Sequence, residues 1–191
     1  NPLGYIIIND GLININSYDK AITASWVTEE DAQTAELSDD PTPYVTINGG
    51  EINITTFGVP TGGHGPGRGG RGGWFFSPVD TVEEDSLSPE GIESKTILTI
   101  NGGLISINAT DDALNAGNEI IINGGDIKVT STKGDAIDSN GTILMTDGRV
   151  VAVGAPGRGE GGLDCDRNDF VVTGGSIMGF GGRNSSPTMS L

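Results

Sequence analysis

The chain has 191 residues, of which 32 are glycine and 35% are hydrophobic, a composition too lean for a thick globular core and suited to a thin core along an axis. Its 10 basic and 26 acidic residues give a net charge of −16, which disfavours nucleic acid and anionic membrane as partners and favours cations. Collagen is excluded because the glycines keep no three-residue period. No apolar run approaches the ~20 residues of a membrane span, so membrane insertion is not expected. The lone Cys165 allows no internal disulfide. The chain opens at Asn1 and Pro2 without a methionine or a signal peptide, as a secreted, trimmed product would.

In chain order, the string INDGLINI begins at Ile8. Its apolar–polar alternation predicts a short strand, and the Asp-Gly before it predicts a corner. A second string, AITAS, begins at Ala21, and an acidic insertion at 26–42 follows, with a helix signal over 29–37. INGGEINI at 47–54 repeats the first string. A second insertion, at about 58–88, carries Gly-rich residues 62–73 into Trp74, Phe75 and Phe76. From Gly91 the two strings alternate as GIESK, INGGLISI (100–107), ALNAG, INGGDIKV (122–129), AIDSN, MTDGRVVA from Met145, GLDCD and VTGGSIMG from Val172. A small insertion at 157–161 interrupts them.

The position after the first apolar residue is Asn9, Asn48, Asn101, Asn123, Thr146 and Thr173; its last steps are 22, 23 and 27 residues. From Glu93, Asn115, Asp138 and Asp164 to the next such position is 8, 8, 8 and 9 residues. Spacing held this tightly makes the two strings parts of one coil. The expected fold is all-β, a single parallel β-helix over 1–191, with Ile52, Ile105, Ile127, Val150 and Ile177 inside and Glu51, Asp126, Arg149 and Ser176 outside. A leucine-rich repeat lacks its leucine framework here, and a β-sandwich has no reason to keep the motif in register. The asparagines at 9, 48, 101 and 123 are expected to form an interior ladder of amides bonded from coil to coil, ended by threonine.

The middle of the second string reads Glu93, Asn115, Asp138 and Asp164, and three residues earlier come Glu90, Asp112, Asp135 and Gly161. Neighbouring coils lie about 4.8 Å apart. Two carboxylates at that separation repel by roughly 3–4 kcal/mol at an effective dielectric near 20. A hard divalent cation reverses that sign, and Ca²⁺ takes carboxylate, amide, carbonyl and water oxygens. The candidate ligands are Asp112, Asn115, Asp135 and Asp138, with Asp111, Asn140, Asp164 and Asp166, and then Glu90 and Glu93, for which Lys95 is an alternative partner. Solvated acidic turns are the competing account. Zinc and copper fit poorly, because His64 and Cys165 are isolated. Trp74, Phe75 and Phe76 would either stack on sugars or anchor their glycine loop. Arg68 and Arg71 lie in no phosphate-loop pattern.

The strings SPEGIESK, INGGLISINATDDALNAG and INGGDIKVTSTKGDAIDSNG resemble a family of bacterial surface carbohydrate-binding β-helix proteins. The resemblance covers Asn1 to about Asn184. It implies a right-handed, pectate-lyase-like coil, bound calcium, an extracellular or cell-surface location, and binding rather than cleavage of cellulose and polygalacturonate. It maps TDDALN onto Asp111, Asp112 and Asn115, and GDAIDSN onto Asp135, Asp138 and Asn140. The chain departs from the pattern at Thr23 and Gly161.

The expected function is therefore a non-catalytic, calcium-dependent module for plant cell-wall polysaccharide. One alternative is a pectate lyase, whose proton-abstracting base would come from Lys128, Lys133, Arg149 or Arg167. Another is a structural or adhesive surface segment. Arg149 and Lys128, projecting from neighbouring strands, are also candidates for sugar contact.

Overall fold

The computed structural model describes residues 4–26, 43–60, 87–157 and 159–190. The helix signal at 29–37, His64, and Trp74, Phe75 and Phe76 lie outside them. The described chain is all β-strand and turn. Among these residues no helix is long and apolar enough to cross a membrane.

Three parallel sheets are built one strand per coil. The first holds β1 (Tyr5–Ile8), β4 (Tyr44–Ile47), β7 (Ile97–Ile100), β10 (Glu119–Ile122), β13 (Thr142–Met145), β16 (Phe170–Val172) and β18 (Met189–Ser190). The second holds β2 (Leu12–Ser17), β5 (Glu51–Thr56), β8 (Leu104–Ala109), β11 (Asp126–Ser131), β14 (Arg149–Val153) and β17 (Ser176–Phe180). The third is made of short strands: β3 (Ile22–Ala24), β6 (Ile92–Ser94), β9 (Leu114–Ala116), β12 (Ile137–Ser139) and β15 (Leu163–Asp164). The chain visits first, second and third sheet in turn, so the arrangement is that of a β-helix or β-solenoid.

Equal positions of successive repeats pair in register. Ile52 lies opposite Ile105, Ile105 opposite Ile127, Ile127 opposite Val150, and Val150 opposite Ile177. The long steps from Asn9 to Asn48 and from Asn48 to Asn101 are closed the same way, with Ile8 on Ile47 and Ile47 on Ile100. The register of the described strands is therefore the same on either side of the insertions. A one-residue slip would turn every inward side chain to solvent.

The core is a bundle of like-on-like stacks. Val45, Leu98, Ile120, Ile143 and Phe170 run up the first sheet, and Ile92, Leu114, Ile137 and Leu163 up the third, all buried. Burial weakens at the described ends, where Ile6, Ile13 and Ile177 are only partly covered, because an end coil has a neighbour on one side only. Ile105 is fully buried in mid-stack. We expect Ile105→Ala to cost about 2–5 kcal/mol, read as a lower urea midpoint; an unchanged midpoint would contradict this core.

The second glycine of the INGG string has a steric reason. Gly103 sits at φ 104°, and a Cβ there would lie 2.8 Å from the Gly50 carbonyl oxygen of the preceding coil. Only glycine turns the corner between first and second sheets so close to its neighbour.

The asparagine column forms a ladder, with Asn48 donating to Asn9 at 2.8 Å, Asn101 to Asn48 at 2.8 Å and Asn123 to Asn101 at 2.9 Å. Its position differs from expectation: these side chains are exposed at the corner, not interior. The corner turns them outward while the coil spacing still brings amide to amide. Thr146 extends the ladder by donating to Asn123 at 2.8 Å. Thr173 ends it, its hydroxyl donating to the Met145 carbonyl instead.

Candidate functional site

The acidic positions stand in two columns along the third sheet. Pairing places Thr23 on Glu93, Glu93 on Asn115, Asn115 on Asp138 and Asp138 on Asp164. Three residues upstream, backbone bonds from Ala21 to Glu90, Gly91 to Asp112, Ala113 to Asp135 and Ala136 to Gly161 align a second column. That column reads Lys20, Glu90, Asp112, Asp135, Gly161. Lys20 was not singled out from the sequence, yet a signal was there: it stands three residues before Thr23, as Glu90 stands before Glu93.

At the N-terminal end the protein supplies its own cations. The Lys20 ammonium pairs with Glu90 and lies 3.2 Å from Glu93, while Lys95 also pairs with Glu93. Thr23 donates to Glu93 at 2.7 Å. Burial works against the Lys20 charge, but the two glutamates hold its pKa above the ordinary value. Burial likewise opposes ionisation of Glu93, and the two lysines with Thr23 outweigh it, keeping that carboxyl below its usual range. In Glu90 burial and the neighbouring Glu93 charge win, and its pKa rises. These glutamates, candidates for metal, are thus occupied by ammonium groups.

Towards the C-terminal end no ion pair among the described residues reaches the aspartates. Asp112 is 1% exposed and serves the backbone: it accepts from the Asp135 amide at 2.7 Å and from the Asn115 side chain at 3.1 Å. Asp135 accepts in the same way from the Gly161 amide. Gly134 makes room for this, since a Cβ there would sit 2.3 Å from the Asp112 carboxylate. Asp111 is buried beside Ser88, 3.0 Å from its hydroxyl.

Asp135, Asp138 and Asp164 each bring a carboxylate oxygen to within 4.8 Å of the others. The trio is diagonal, taking one residue from one column and two from the other. Burial, together with the Asp112 and Glu160 charges, pushes the Asp135 carboxyl up to about 9 even against its bond from Gly161. Burial and the charges of Asp164 and Asp166 push Asp138 up to about 7. Asp112, buried and next to Asp138 and Asp111, is raised well above the ordinary value. Three hard oxygens in a partly buried corner, lacking a resident ammonium group, are a donor set suited to Ca²⁺.

Asp164 also borders an open cleft of about 560 Å³, lined with Asp166, Arg167, Asn168 and Arg183. Its carboxylate is oriented by the Ser185 hydroxyl and the Asp166 amide, each at 3.0 Å. Asp166, at φ 53°, and Asn140 are exposed and lie outside the trio. Arg183 enters the cleft from the following coil, and no repeat position announced it.

Lys128 and Arg149 lie on a different sheet from the acidic columns. Both point outward from the second sheet, but Lys128 lies opposite Val151 and Arg149 opposite Asp126, so they are not cross-strand partners. Lys128 stands 4.0 Å from Asp126. Cys165 is buried, and burial pushes its thiol up, which makes it a poor nucleophile.

Fold and flank together define an acidic β-solenoid with carboxylates concentrated along one sheet. Residues 1–139 match the family described as carbohydrate-binding domain-containing protein, and the chain belongs to that family. Carbohydrate binding is its role by membership. No curated protein and no solved structure gives a match.

Proposed function

We propose that the protein is a non-catalytic binding module for plant cell-wall polysaccharide, calcium-dependent towards polygalacturonate as its anionic ligand, with cellulose as a neutral one. In this reading it works outside the cell, on a right-handed, pectate-lyase-like β-helix. Asp135, Asp138 and Asp164 would hold the ion, with Asp112 and Asn115 bracing them from the preceding coil. Calcium would supply positive charge between stacked carboxylates, and a bridge to uronate carboxylates that a chain of net charge −16 otherwise repels. The observation that carries the reading is the carboxylate trio opening, through Asp164, onto a cleft that also presents Arg167 and Arg183. Guanidinium forks suit carboxylate ligands.

Affinity electrophoresis through polygalacturonate gels tests it. Retardation is expected in millimolar Ca²⁺ and is expected to fall at least tenfold in EDTA. Equal retardation with and without chelator, or none in calcium, would sink the proposal.

Arg167 beside Asp164 favours one second reading, a pectate lyase, since elimination needs a base next to the cation. We expect no unsaturated product from polygalacturonate in calcium; a steady rise in its ultraviolet absorbance would make the protein an enzyme.

A further inference from the structure

The outer face of the second sheet changes character along the solenoid. On β11 and β14 it carries Asp126, Lys128 and Arg149, whereas on β2, β5 and β8 a first row of Leu12, Glu51 and Leu104 is followed by Asn14, Asn16, Asn53, Thr55, Ser106 and Asn108. These six side chains line a shallow groove of about 250 Å³. Register holds them in a grid, Asn14 on Asn53 on Ser106 and Asn16 on Thr55 on Asn108. Spacings are about 4.8 Å across strands and roughly 6.7 Å along them.

Every group in that grid is uncharged, and each both donates and accepts hydrogen bonds. The charged side chain beside it on these strands is Glu51, so in a chain of net charge −16 the grid itself offers neither cations nor polyanions a charge to pair with, and its internal bonding is sparse. Asn53 donates to Asn14 and to Glu51, each at 3.1 Å.

Immediately beyond β2 and β5 stand two exposed rings. Tyr18 and Phe57 are 60% and 58% exposed and meet edge to face with centroids 5.7 Å apart. Exposed aromatic area next to an amide grid is costly in water, and it matches a ligand whose faces are C–H and whose rim is hydroxyl. The whole face lies within residues 1–139, the segment that carries the carbohydrate-binding family match, whereas the arginine cleft at 164–183 lies beyond it.

We infer that the amide face of β2, β5 and β8, with Tyr18 and Phe57, is a second carbohydrate-contact surface, taking a neutral, extended, hydroxyl-rich glycan without calcium. The inference rests on the carbohydrate-binding role but not on the metal. The rings take a sugar face, and the asparagines exchange hydrogen bonds with hydroxyls along the chain.

The test is affinity electrophoresis in hydroxyethylcellulose gels, run in EDTA and in calcium. Wild type is expected to be retarded equally in both. The double variant Tyr18→Ala/Phe57→Ala should lose at least tenfold in affinity, and Asn14→Asp/Asn53→Asp, which keeps side-chain size, should lose as much. Both should keep the wild-type far-ultraviolet circular dichroism, which reports that they fold, and should still be retarded by polygalacturonate in calcium; if the aromatic pair fails to fold, the asparagine pair decides alone. Retardation of the folded variants like wild type, or no retardation of wild type by the neutral polymer, overturns the inference. Failure of polygalacturonate retention in wild type touches only the calcium proposal.

Discussion

Calcium is expected to raise the thermal midpoint of the chelator-treated protein by about 8–16 °C at pH 8. An ion at a thousand times its dissociation constant contributes about 4 kcal/mol, and in a chain of this size each kcal/mol shifts the midpoint by roughly 2–4 °C. The pH dependence follows from the raised carboxyls. In the metal-free fold Asp138 titrates near 7 and Asp135 near 9, against about 4 in the unfolded chain. Between those values the native state holds protons that the unfolded state has released, so stability falls as pH rises. The loss begins near pH 4, and is complete only above about 9. Calcium replaces those protons, and its affinity grows with pH as fewer must be displaced. The calcium-induced shift should thus be small at pH 5 and largest at pH 8–9. Asp138→Asn should abolish most of it and weaken the metal-free fold less, since it removes a charge the fold resists. A midpoint indifferent to calcium across pH 5–9, measured by differential scanning calorimetry, would end the metal proposal.

Lys20→Met is expected to destabilise the protein by about 3–5 kcal/mol, the usual cost of removing one partner from a buried ion pair. Lys20 is 26% exposed at its side chain while Glu90 and Glu93 are 6% and 3% exposed, so Glu90 is left with little water to turn to and, among the described residues, Glu93 keeps only Lys95 as a cation. The penalty should be greatest near neutral pH and shrink towards pH 4, because without the ammonium the two carboxyls fold most easily protonated. It should persist in calcium and in EDTA alike. That separates it from Asp138→Asn, whose effect depends on the ion. A variant as stable as wild type at pH 7, by urea titration, would show that Lys20 does not neutralise the column.

The contrast between these two substitutions states the physics of the flank. The acidic columns are neutralised at one end by Lys20 and Lys95. At the other, among the described residues, they have neutral donors: the Asp135 and Gly161 amides, the Asn115 side chain and the Ser185 hydroxyl. Ammonium groups hold the glutamates, and the divalent ion is proposed where Asp135, Asp138 and Asp164 converge.

Much of this was legible in the sequence, for a reason peculiar to in-register parallel stacks. When each coil repeats the last, equal positions in consecutive repeats must lie about one strand spacing apart. Aligning Glu93, Asn115 and Asp138 by their equal distance to the next ladder position therefore located real neighbours. The inward isoleucines, the glycine corner at Gly103, the asparagine ladder and the order of both acidic columns follow from that arithmetic alone. Column counting is blind to what crosses columns or turns outward. The diagonal meeting of Asp135 with Asp138 and Asp164, the ammonium of Lys20 reaching both Glu90 and Glu93, and Arg183 entering the cleft depend on side-chain direction. So do the outward turn of the asparagines and the neutral face ending in Tyr18 and Phe57. Backbone hydrogen bonding sets the spacing of the coils, and a repeat shows that in one dimension; where each corner points its side chains is decided only in three.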